Sequence, residues 1–230
     1  MGSSPISHPN RLERYVQPLF DRPAVEVSPG AVHIPAWLSL DEQQHLVRAW
    51  REWAAPPAGM RHTRMPNGSR MSVQTVCLGW HWQPYRYSRT VDDGDGAPVK
   101  PLPGWLADLG RRAVAACELP AAPDYRPDVA LVNYYVEHAR MGLHADRDEQ
   151  SSAPVVSLSV GEACVFRFGN AASRGRPWTD VKLASGDLFV FGGPARLAYH
   201  GVLRTVSGTA PHELGLTGRI NITLRESGLS

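Results

Sequence analysis

The sequence predicts a mainly β fold of the α+β class, in which a helical N-terminal part supports a jelly roll or barrel of about eight strands. The 230 residues include 20 prolines and 21 glycines, which indicate many turns between short elements rather than a helix bundle. From about residue 128 onward, short runs of β-forming residues alternate with turn residues, whereas helical periodicity is confined to the earlier part. The length suits one compact unit with a substantial core.

The N-terminal part is expected to begin with an extended arm. Residues 1–28 are polar and contain prolines, and Val32–Pro35 resembles a short strand. We divide the chain into this arm, a supporting region at 29–127, and a β core at 128–230. The β runs of the core have a spacing typical of a jelly roll, and they lie at 129–135, 154–160, 163–168, 179–184, 187–191, 198–203 and 218–225.

Two helices are predicted in the supporting region. Ser39 and Glu42 form a capping-box pattern ahead of apolar residues at helical spacing, which places a helix at about 40–54. Proline residues follow directly and end it. Residues 58–100 are expected to be irregular or hairpin-like, and a second amphipathic helix fits about 104–117.

Charge and cysteine content restrict the class of protein. The net charge of +2 does not by itself argue for a nucleic-acid partner. The three cysteines are odd in number and form no C-x-x-C pair, so reduced, buried thiols are expected instead of a disulfide framework or zinc ribbon. The N-terminus lacks the apolar core of a signal peptide, and no apolar run approaches the roughly 20 residues that span a bilayer. We expect a cytoplasmic, monomeric enzyme without a membrane partner.

The stretch 61–89 is unusual because it has five arginines and no acidic residue. It also contains four large aromatic residues, which are Trp80, Trp82, Tyr85 and Tyr87. A surface that binds phosphates and stacks on bases has this composition. A solvated loop with core aromatics is the simpler alternative when the stretch is considered alone.

A candidate metal site consists of His144, Asp146 and a distant His200. In an extended segment, side chains two residues apart point to the same face, so His144 and Asp146 could bind one ion. Two imidazoles and one carboxylate leave coordination positions open, which suits iron(II) better than a closed structural zinc site. Taken alone, the H-x-D pair could equally be a surface ion pair, and His200 a buried hydrogen-bonded histidine.

The last predicted strand places two arginines on one face. Arg219, Asn221, Thr223 and Arg225 alternate with aliphatic residues, and an inward arginine is costly unless it meets an anion. This face therefore predicts a bound dicarboxylate, or one bound anion and one internal carboxylate. A polar edge strand facing solvent is the alternative for each segment alone.

Together these segments resemble the AlkB family of Fe(II)- and 2-oxoglutarate-dependent nucleic-acid dealkylating dioxygenases, over about residues 30–226. The resemblance implies a double-stranded β-helix core with a nucleotide-recognition lid. Its motifs are Leu131–Tyr135, His144–Glu149, Pro154–Ser159, Arg196–Gly201 and Arg219–Arg225.

The resemblance also implies the roles of residues in the oxidising centre. His144, Asp146 and His200 are implied as iron ligands, leaving a position for O2. Arg225 is implied beside the near carboxylate of 2-oxoglutarate and the metal. The far side of the cosubstrate is implied to meet Arg219, Asn133, Tyr135 and Asn221.

For the substrate site, the resemblance implies that Trp80 stacks on an extruded base and that His200 lies on its other face. Asp148 would accept a hydrogen bond from the exocyclic amine of the base, and Tyr85 would touch a flanking phosphate. The remaining implied nucleotide-site residues are Met71, Ser72, Tyr87, Arg147 and Glu149.

The implied activity is oxidative demethylation of N-alkylated bases, of the 1-methyladenine and 3-methylcytosine type, with release of formaldehyde, succinate and CO2. The expected substrate is single-stranded or duplex DNA, with RNA as a further candidate, and the expected role is direct reversal of alkylation damage. Three alternatives remain open at this point. They are a 2-oxoglutarate oxygenase acting on a protein side chain or small metabolite, a tRNA-modifying dioxygenase, and a non-catalytic β-barrel binding module.

Overall fold

The computed structural model of the chain describes residues 23–119 and 124–229. Within these ranges the chain forms two α-helices, α1 (Leu40–Ala54) and α2 (Gly104–Ala116). The strands are β1 (Val25–Ser28), β2 (Ala31–Ile34), β3 (Arg61–Arg64), β4 (Arg70–Leu78), β5 (His81–Gln83), β6 (Arg86–Ser88), β7 (Val129–Tyr135), β8 (Met141–His144), β9 (Val155–Gly161), β10 (Ala163–Phe168), β11 (Thr179–Leu183), β12 (Leu188–Phe191), β13 (His200–Val206) and β14 (Arg219–Arg225).

Two sheets form the body of the fold. The major sheet has the order β1-β2-β12-β9-β14-β7-β4-β3, and the minor sheet has the order β11-β10-β13-β8. Phenylalanines of β10 and β12 pack between the sheets, and the rings of Phe166 and Phe189 lie 5.0 Å apart. Two sheets with a shared apolar interior are the double-stranded β-helix that the sequence predicted.

Alternation along β14 separates the core from the site. Ile220, Ile222 and Leu224 belong to a second apolar cluster, in which α1 and α2 cover the outer face of the major sheet. The intervening residues of β14 must face the opposite side, toward the minor sheet. The prediction that this strand has one apolar and one polar face is therefore confirmed.

Both predicted helices are present. Helix α1 begins after Ser39, whose side chain accepts from the backbone of Glu42 while the Glu42 carboxylate accepts from the Ser39 backbone. Such a cap contributes about 1 kcal/mol. Helix α2 ends at Ala116, one residue before the predicted limit, because Cys117 leaves the helical conformation. Neither helix is long and apolar enough to cross a membrane, among the residues that the structure describes.

Part of the supporting region differs from the prediction. Residues 58–100 contain two hairpins, β3–β4 and β5–β6, but β4 is also a nine-residue strand inside the major sheet. It pairs with β7, where Thr75 lies opposite Asn133. The hairpin-like alternative of the prediction is therefore confirmed, but the prediction did not include the pairing of β4 with β7. Arg70, Ser72 and Gln74 share one face of β4 with the buried Val76 and Leu78, so the first half of the strand shows no continuous apolar face in the sequence.

Only the end of the predicted N-terminal arm lies within the described residues. Residues 1–22 of the predicted arm lie outside the described residues, and Val25–Ser28 form β1, which pairs with β2 at the edge of the major sheet. The limits at residues 28 and 128 stay predictions. Strands β2 and β4 precede residue 128, yet both belong to the same sheet as β7.

Candidate metal centre and active-site cavity

The three predicted metal ligands meet at one end of the minor sheet. His144 ends β8 and His200 begins β13, and the two are register partners in neighbouring antiparallel strands. Asp146 follows two residues after His144. The ligand atoms of the three side chains all lie within 4.8 Å of one another. Two strands and a short loop thus assemble a facial set of two nitrogens and one oxygen.

Backbone carbonyls orient both imidazoles. The Nδ1 atom of His144 lies 3.0 Å from the carbonyl oxygen of Gly142, and Nδ1 of His200 lies 2.9 Å from that of Ala198. Since a carbonyl oxygen only accepts, each Nδ1 carries the proton and each Nε2 keeps its lone pair. The Nε2 atoms lie 3.6 and 3.7 Å from the Asp146 carboxylate oxygens. This is the tautomer that a metal requires.

Burial and nearby charges set the protonation states of His200 and Asp146. Burial, together with the neighbouring His144, lowers the pKa of His200 to about 4, so its imidazole is neutral at pH 7. Burial alone would raise the pKa of Asp146, but Arg225 and the two histidines lower it to about 2. Asp146 is therefore an anion even though its side chain is almost completely buried.

A charge network holds Asp146 from behind. Arg225 donates from Nη2 to Oδ1 of Asp146 at 2.8 Å and from Nη1 to Oε1 of Glu149 at 2.8 Å. Arg196 donates to Oε2 of Glu149 at 3.0 Å and to the Asp146 carbonyl at 2.8 Å. Oδ2 of Asp146 is buried and has no hydrogen-bond partner among the described residues. A free, buried carboxylate oxygen next to Nε2 of His200, in a cluster of three possible ligand side chains, fits a divalent cation.

Arg219 is buried without a carboxylate partner. Only 1% of it is exposed, and it donates to the Ser159 hydroxyl at 2.9 Å and to the Glu162 carbonyl at 3.4 Å. Its Nε atom has no acceptor, and no carboxylate oxygen lies within 4.0 Å of it in the described parts of the chain. Of the two possibilities that the sequence left open, one bound anion and one internal carboxylate therefore fits. Arg225 has the internal carboxylates, and Arg219 is left for the anion.

Three polar side chains accompany Arg219. Thr75 donates to the Asn133 side-chain oxygen at 2.8 Å, and Asn221 donates to the Ser157 hydroxyl at 2.8 Å. The Tyr135 hydroxyl lies 3.8 Å from the sulfur of Met141, which is only a weak acceptor. Asn133, Tyr135 and Asn221 all line the same cavity as Arg219, as predicted for a cosubstrate site.

That cavity has a volume of about 790 Å³ and contains the metal ligands. Besides the three ligands and the two inward arginines, the predicted site residues that line it are Asn133, Tyr135, Asn221, Met71, Ser72, Tyr85, Arg147 and Asp148. Tyr85 is 74% exposed and has a φ of 73°, a backbone conformation that side chains other than glycine rarely adopt. The turn between β5 and β6 thus presents this ring at the cavity mouth.

Trp80 does not reach the cavity, which corrects the prediction that it stacks on a base. It is 9% exposed and packs with Cys77, Val129 and Leu131, and its indole N–H donates to Asp128 at 3.1 Å. The guanidinium of Arg89 covers its ring at 3.3 Å. Both faces of Trp80 are therefore in use by the fold.

Trp82, and not Trp80, is the tryptophan that lines the cavity. Its ring lines the cavity, and its indole N–H donates to Oδ2 of Asp148 at 2.7 Å. Strand alternation could not separate the two tryptophans, because residues two positions apart in an extended segment point to the same face. In the structure β5 begins at His81, and Trp80 precedes it. Which tryptophan faces inward depends on the turn at Gly79, whose φ of 79° no local pattern revealed.

Tyr87 and Glu149 also lie behind the cavity wall instead of in it, which corrects their assignment to the nucleotide site. The Tyr87 hydroxyl donates to Glu149, and the Glu149 side chain is completely inaccessible to solvent. Arg196, which the sequence reading left without a role, joins the same network. Buried long-range charge pairs of this kind leave no periodic trace in a sequence.

The arginines of the stretch 61–89 divide into two groups. Arg61 pairs with Asp93 at 2.7 Å, Arg86 pairs with Asp92 at 3.3 Å, and Arg89 lies on Trp80, so the fold uses all three. Arg64 and Arg70 are exposed and lie opposite one another in the β3–β4 hairpin. Like charges in this position are destabilising, which is consistent with a role toward an anionic partner.

Comparisons with known proteins agree with this geometry. The family model of the 2OG-Fe(II) oxygenase superfamily matches residues 30–225. The chain is 38% identical to the alpha-ketoglutarate-dependent dioxygenase AlkB homolog of Caulobacter vibrioides, over 94% of this chain and 93% of that protein. It is 37% identical to AlkB of Escherichia coli, over 76% and 80% of the two chains. This chain belongs to the AlkB family. It is accordingly an Fe(II)- and 2-oxoglutarate-dependent dioxygenase.

The similarity to other relatives extends over most of the fold. The solved structure of OsALKBH1 superimposes with a TM-score of 0.79 at 31% identity, covering 88% of this chain and all of that one. The DNA N(6)-methyladenine demethylase ALKBH1D of Arabidopsis thaliana is 33% identical over 89% of this chain. The matched part is only 52% of the Arabidopsis protein's length.

The residues present fit the cofactors of the family. His144, Asp146 and His200 offer the ligand atoms for iron(II), and the unpartnered Oδ2 of Asp146 lies 3.7 Å from Nε2 of His200. Arg219 offers an uncompensated positive charge for a carboxylate of 2-oxoglutarate. Because three protein ligands leave open coordination positions, O2 can also be accommodated.

Proposed function

We propose that this chain is an oxidative nucleic-acid demethylase that acts on positively charged N-methylated bases, such as 1-methyladenine and 3-methylcytosine. The observation that carries the proposal is Asp148, which lines the same cavity as the metal ligands and is held by the Trp82 indole. Among the described residues, Asp146 and Asp148 are the only acids in the cavity lining. Arg225 engages Asp146, so Asp148 is the carboxylate left for a substrate.

A carboxylate at this position favours a cationic base. Methylation at N1 of adenine or N3 of cytosine places a positive charge on the ring, and the exocyclic amine beside it donates to an acceptor. A neutral base could donate the same hydrogen bond, but only the cationic ring adds Coulomb attraction to the carboxylate. The Trp82 ring forms part of the same wall, so a base that contacts Asp148 also meets an aromatic surface worth about 1–3 kcal/mol of stacking.

The mouth of the cavity suits a phosphate backbone. Four exposed arginines line it, and they are Arg70, Arg140, Arg147 and Arg174. Arginine forks bind phosphate oxygens without regard to base sequence. A base must leave the helix stack to reach the metal ligands at the bottom, and this costs least when methylation already blocks its pairing edge.

When bound, iron(II) and 2-oxoglutarate would supply the oxidising chemistry with O2 as the oxidant: one oxygen atom would enter succinate as CO2 is lost, and the other would convert the methyl group into a hydroxymethyl group that leaves as formaldehyde. The chain's own residues orient the reactants. Arg219 holds the cosubstrate, and the cavity wall at Trp82 and Asp148 holds the base against the metal centre. The aliphatic and aromatic residues between the sheets exclude water from this end of the cavity.

DNA is the first substrate to test, because the Arabidopsis relatives are named DNA N(6)-methyladenine demethylases. RNA, including tRNA, is the second, since the human relative is named a nucleic acid dioxygenase. The preference between single strands and duplexes, the monomeric state, the repair role and the cytoplasmic location stay predictions.

The test is formaldehyde release from oligonucleotides that carry one 1-methyladenine or one 3-methylcytosine, in single-stranded DNA, duplex DNA and tRNA, with iron(II) and 2-oxoglutarate. His200→Ala serves as the inactive control. Asp148→Asn keeps the shape and the Trp82 contact but removes the charge, and it should lower kcat/KM about 10- to 100-fold for these cationic bases. If the wild-type protein binds iron and 2-oxoglutarate yet demethylates none of these substrates, the proposal is wrong. A protein side chain or small metabolite is then the better substrate class.

A further inference from the structure

Tyr87 and Trp82 attach one hairpin to the loop that carries Asp146. The two residues are cross-strand partners in the β5–β6 hairpin. The Trp82 indole donates to Asp148, and the Tyr87 hydroxyl donates to Glu149, which is the next residue along the chain. One hairpin rung is thereby joined to two consecutive acidic residues of the metal-binding loop.

The attachment at Glu149 continues to the metal ligand. The same Glu149 oxygen that accepts from Tyr87 also accepts from Nη1 of Arg225 at 2.8 Å. Nη2 of Arg225 donates to Oδ1 of Asp146 at 2.8 Å. Three consecutive hydrogen bonds therefore lead from the hairpin to one oxygen of the ligand, and every side chain on the route except Tyr87 is nearly or completely inaccessible to solvent.

This route determines which oxygen of Asp146 is available. Arg225 occupies Oδ1, whereas Oδ2 has no partner in the described structure and lies 3.7 Å from Nε2 of His200. Any shift of Glu149 would move the Arg225 guanidinium, and the Asp146 carboxylate would then be held less firmly. Groups behind a metal ligand commonly change metal affinity 10- to 100-fold when they are removed.

We propose that Tyr87 is a positioning residue for Asp146, acting through Glu149 and Arg225, and that it couples the β5–β6 hairpin to the metal centre. The inference rests on the metal site and not on the identity of the substrate. It can therefore succeed even if the protein demethylates no nucleobase, and it can fail while the demethylase assignment stands. Because coupling between sites is reciprocal, metal binding must also stabilise the hairpin.

The first experiment is titration of the metal-free protein with Co(II), followed by its visible absorption. Tyr87→Phe removes one oxygen and is expected to weaken Co(II) binding roughly 10-fold. Tyr134→Phe is the matched control, because it also removes one tyrosine hydroxyl, which donates to the Thr217 carbonyl at 2.8 Å away from the network. The control should bind Co(II) like the wild-type protein.

The second experiment asks whether Tyr87 acts through Glu149. In a Glu149→Gln background, Tyr87→Phe should cause no further loss of Co(II) affinity, since the route is already changed. Hydrogen exchange over residues 81–88 is an independent readout, and Co(II) should slow it in the wild-type protein but much less in Tyr87→Phe. Co(II) affinity and exchange equal to the wild type in Tyr87→Phe would overturn the proposal, as would additive losses in the double variant. If Glu149→Gln does not fold, the Co(II) affinities of Tyr87→Phe and Tyr134→Phe still show whether Tyr87 supports the metal site.

Discussion

Arg219 should oppose the stability of the ligand-free protein, and Arg219→Met should therefore stabilise it. The guanidinium is buried with an unpartnered Nε and without a carboxylate within reach in the described residues. Removing an ion of this kind from water costs several kcal/mol. The hydrogen bond to the Ser159 hydroxyl offsets about 1.5–3 kcal/mol of this desolvation cost, and the longer hydrogen bond to the Glu162 carbonyl offsets less. We expect methionine to raise the free energy of unfolding by about 1–2 kcal/mol.

The order should reverse when 2-oxoglutarate is present with Mn(II) in place of iron(II). At 1,000 times its Kd, a ligand adds about 4.1 kcal/mol to the stability of the wild-type protein. Loss of the arginine fork should weaken binding about 100-fold, so the same concentration adds only about 1.4 kcal/mol to the variant. The wild-type protein then becomes the more stable of the two.

Urea unfolding with and without the ligand measures both effects. Arg204→Met is the control, because Arg204 is exposed on β13, and it should change neither value by more than about 0.5 kcal/mol. The reasoning is refuted if Arg219→Met destabilises the ligand-free protein by more than 1 kcal/mol and still gains as much from 2-oxoglutarate as the wild type. Arg219 would then be a structural residue of the sheet.

Three further predictions follow from the same site. Trp82→Ala should weaken binding of a methylated oligonucleotide by about 1–3 kcal/mol in a fluorescence-anisotropy titration, while the fold stays intact. Trp80→Ala should instead lower the free energy of unfolding by about 3–5 kcal/mol. The opposite pattern would indicate that Trp80 is the stacking residue. Glu149→Ala leaves two buried arginines without their shared carboxylate and should cost about 3–5 kcal/mol in urea unfolding, so a loss below 1 kcal/mol would contradict the network. Folding lowers the pKa of Asp146 from 3.8 to about 2, so the Asp146 carboxylate stabilises the metal-free fold above pH 3.8. This contribution, about 2 kcal/mol, is lost as the pH falls toward 2. Between pH 5 and pH 2, the free energy of unfolding should therefore fall less for Asp146→Asn than for the wild-type protein.

Local signals in the sequence were sufficient for elements that local contacts define. Helix α1 has the predicted limits because Ser39 and Glu42 cap each other within one turn. Strand β14 follows from strict alternation, and the same alternation placed Arg219 and Arg225 on the interior face. The metal ligands were recognisable because His144 and Asp146 are separated by one residue at the end of a strand.

The features that the sequence did not reveal depend on contacts between distant parts of the chain. Strand β4 joins the major sheet through β7, and its Thr75–Asn133 hydrogen bond connects residues 58 positions apart, which no local pattern predicts. The exchange of Trp80 for Trp82 depends on a glycine turn. The pairing of Glu149 with Arg196 and Arg225 joins residues 47 and 76 positions apart, and no periodicity predicts such a pair.

The placement of Asp148 has a consequence for product release under the proposed function. A 1-methyladenine or 3-methylcytosine ring is cationic, whereas the adenine or cytosine that replaces it is neutral. Demethylation therefore removes the charge that held the base against the carboxylate, at the moment when the base regains its Watson–Crick edge. The repaired base binds the cavity more weakly than the damaged one and pairs more strongly with its own partner strand. Demethylation therefore lowers the affinity of the enzyme for the nucleotide it has just changed, which favours dissociation and binding of the next methylated base.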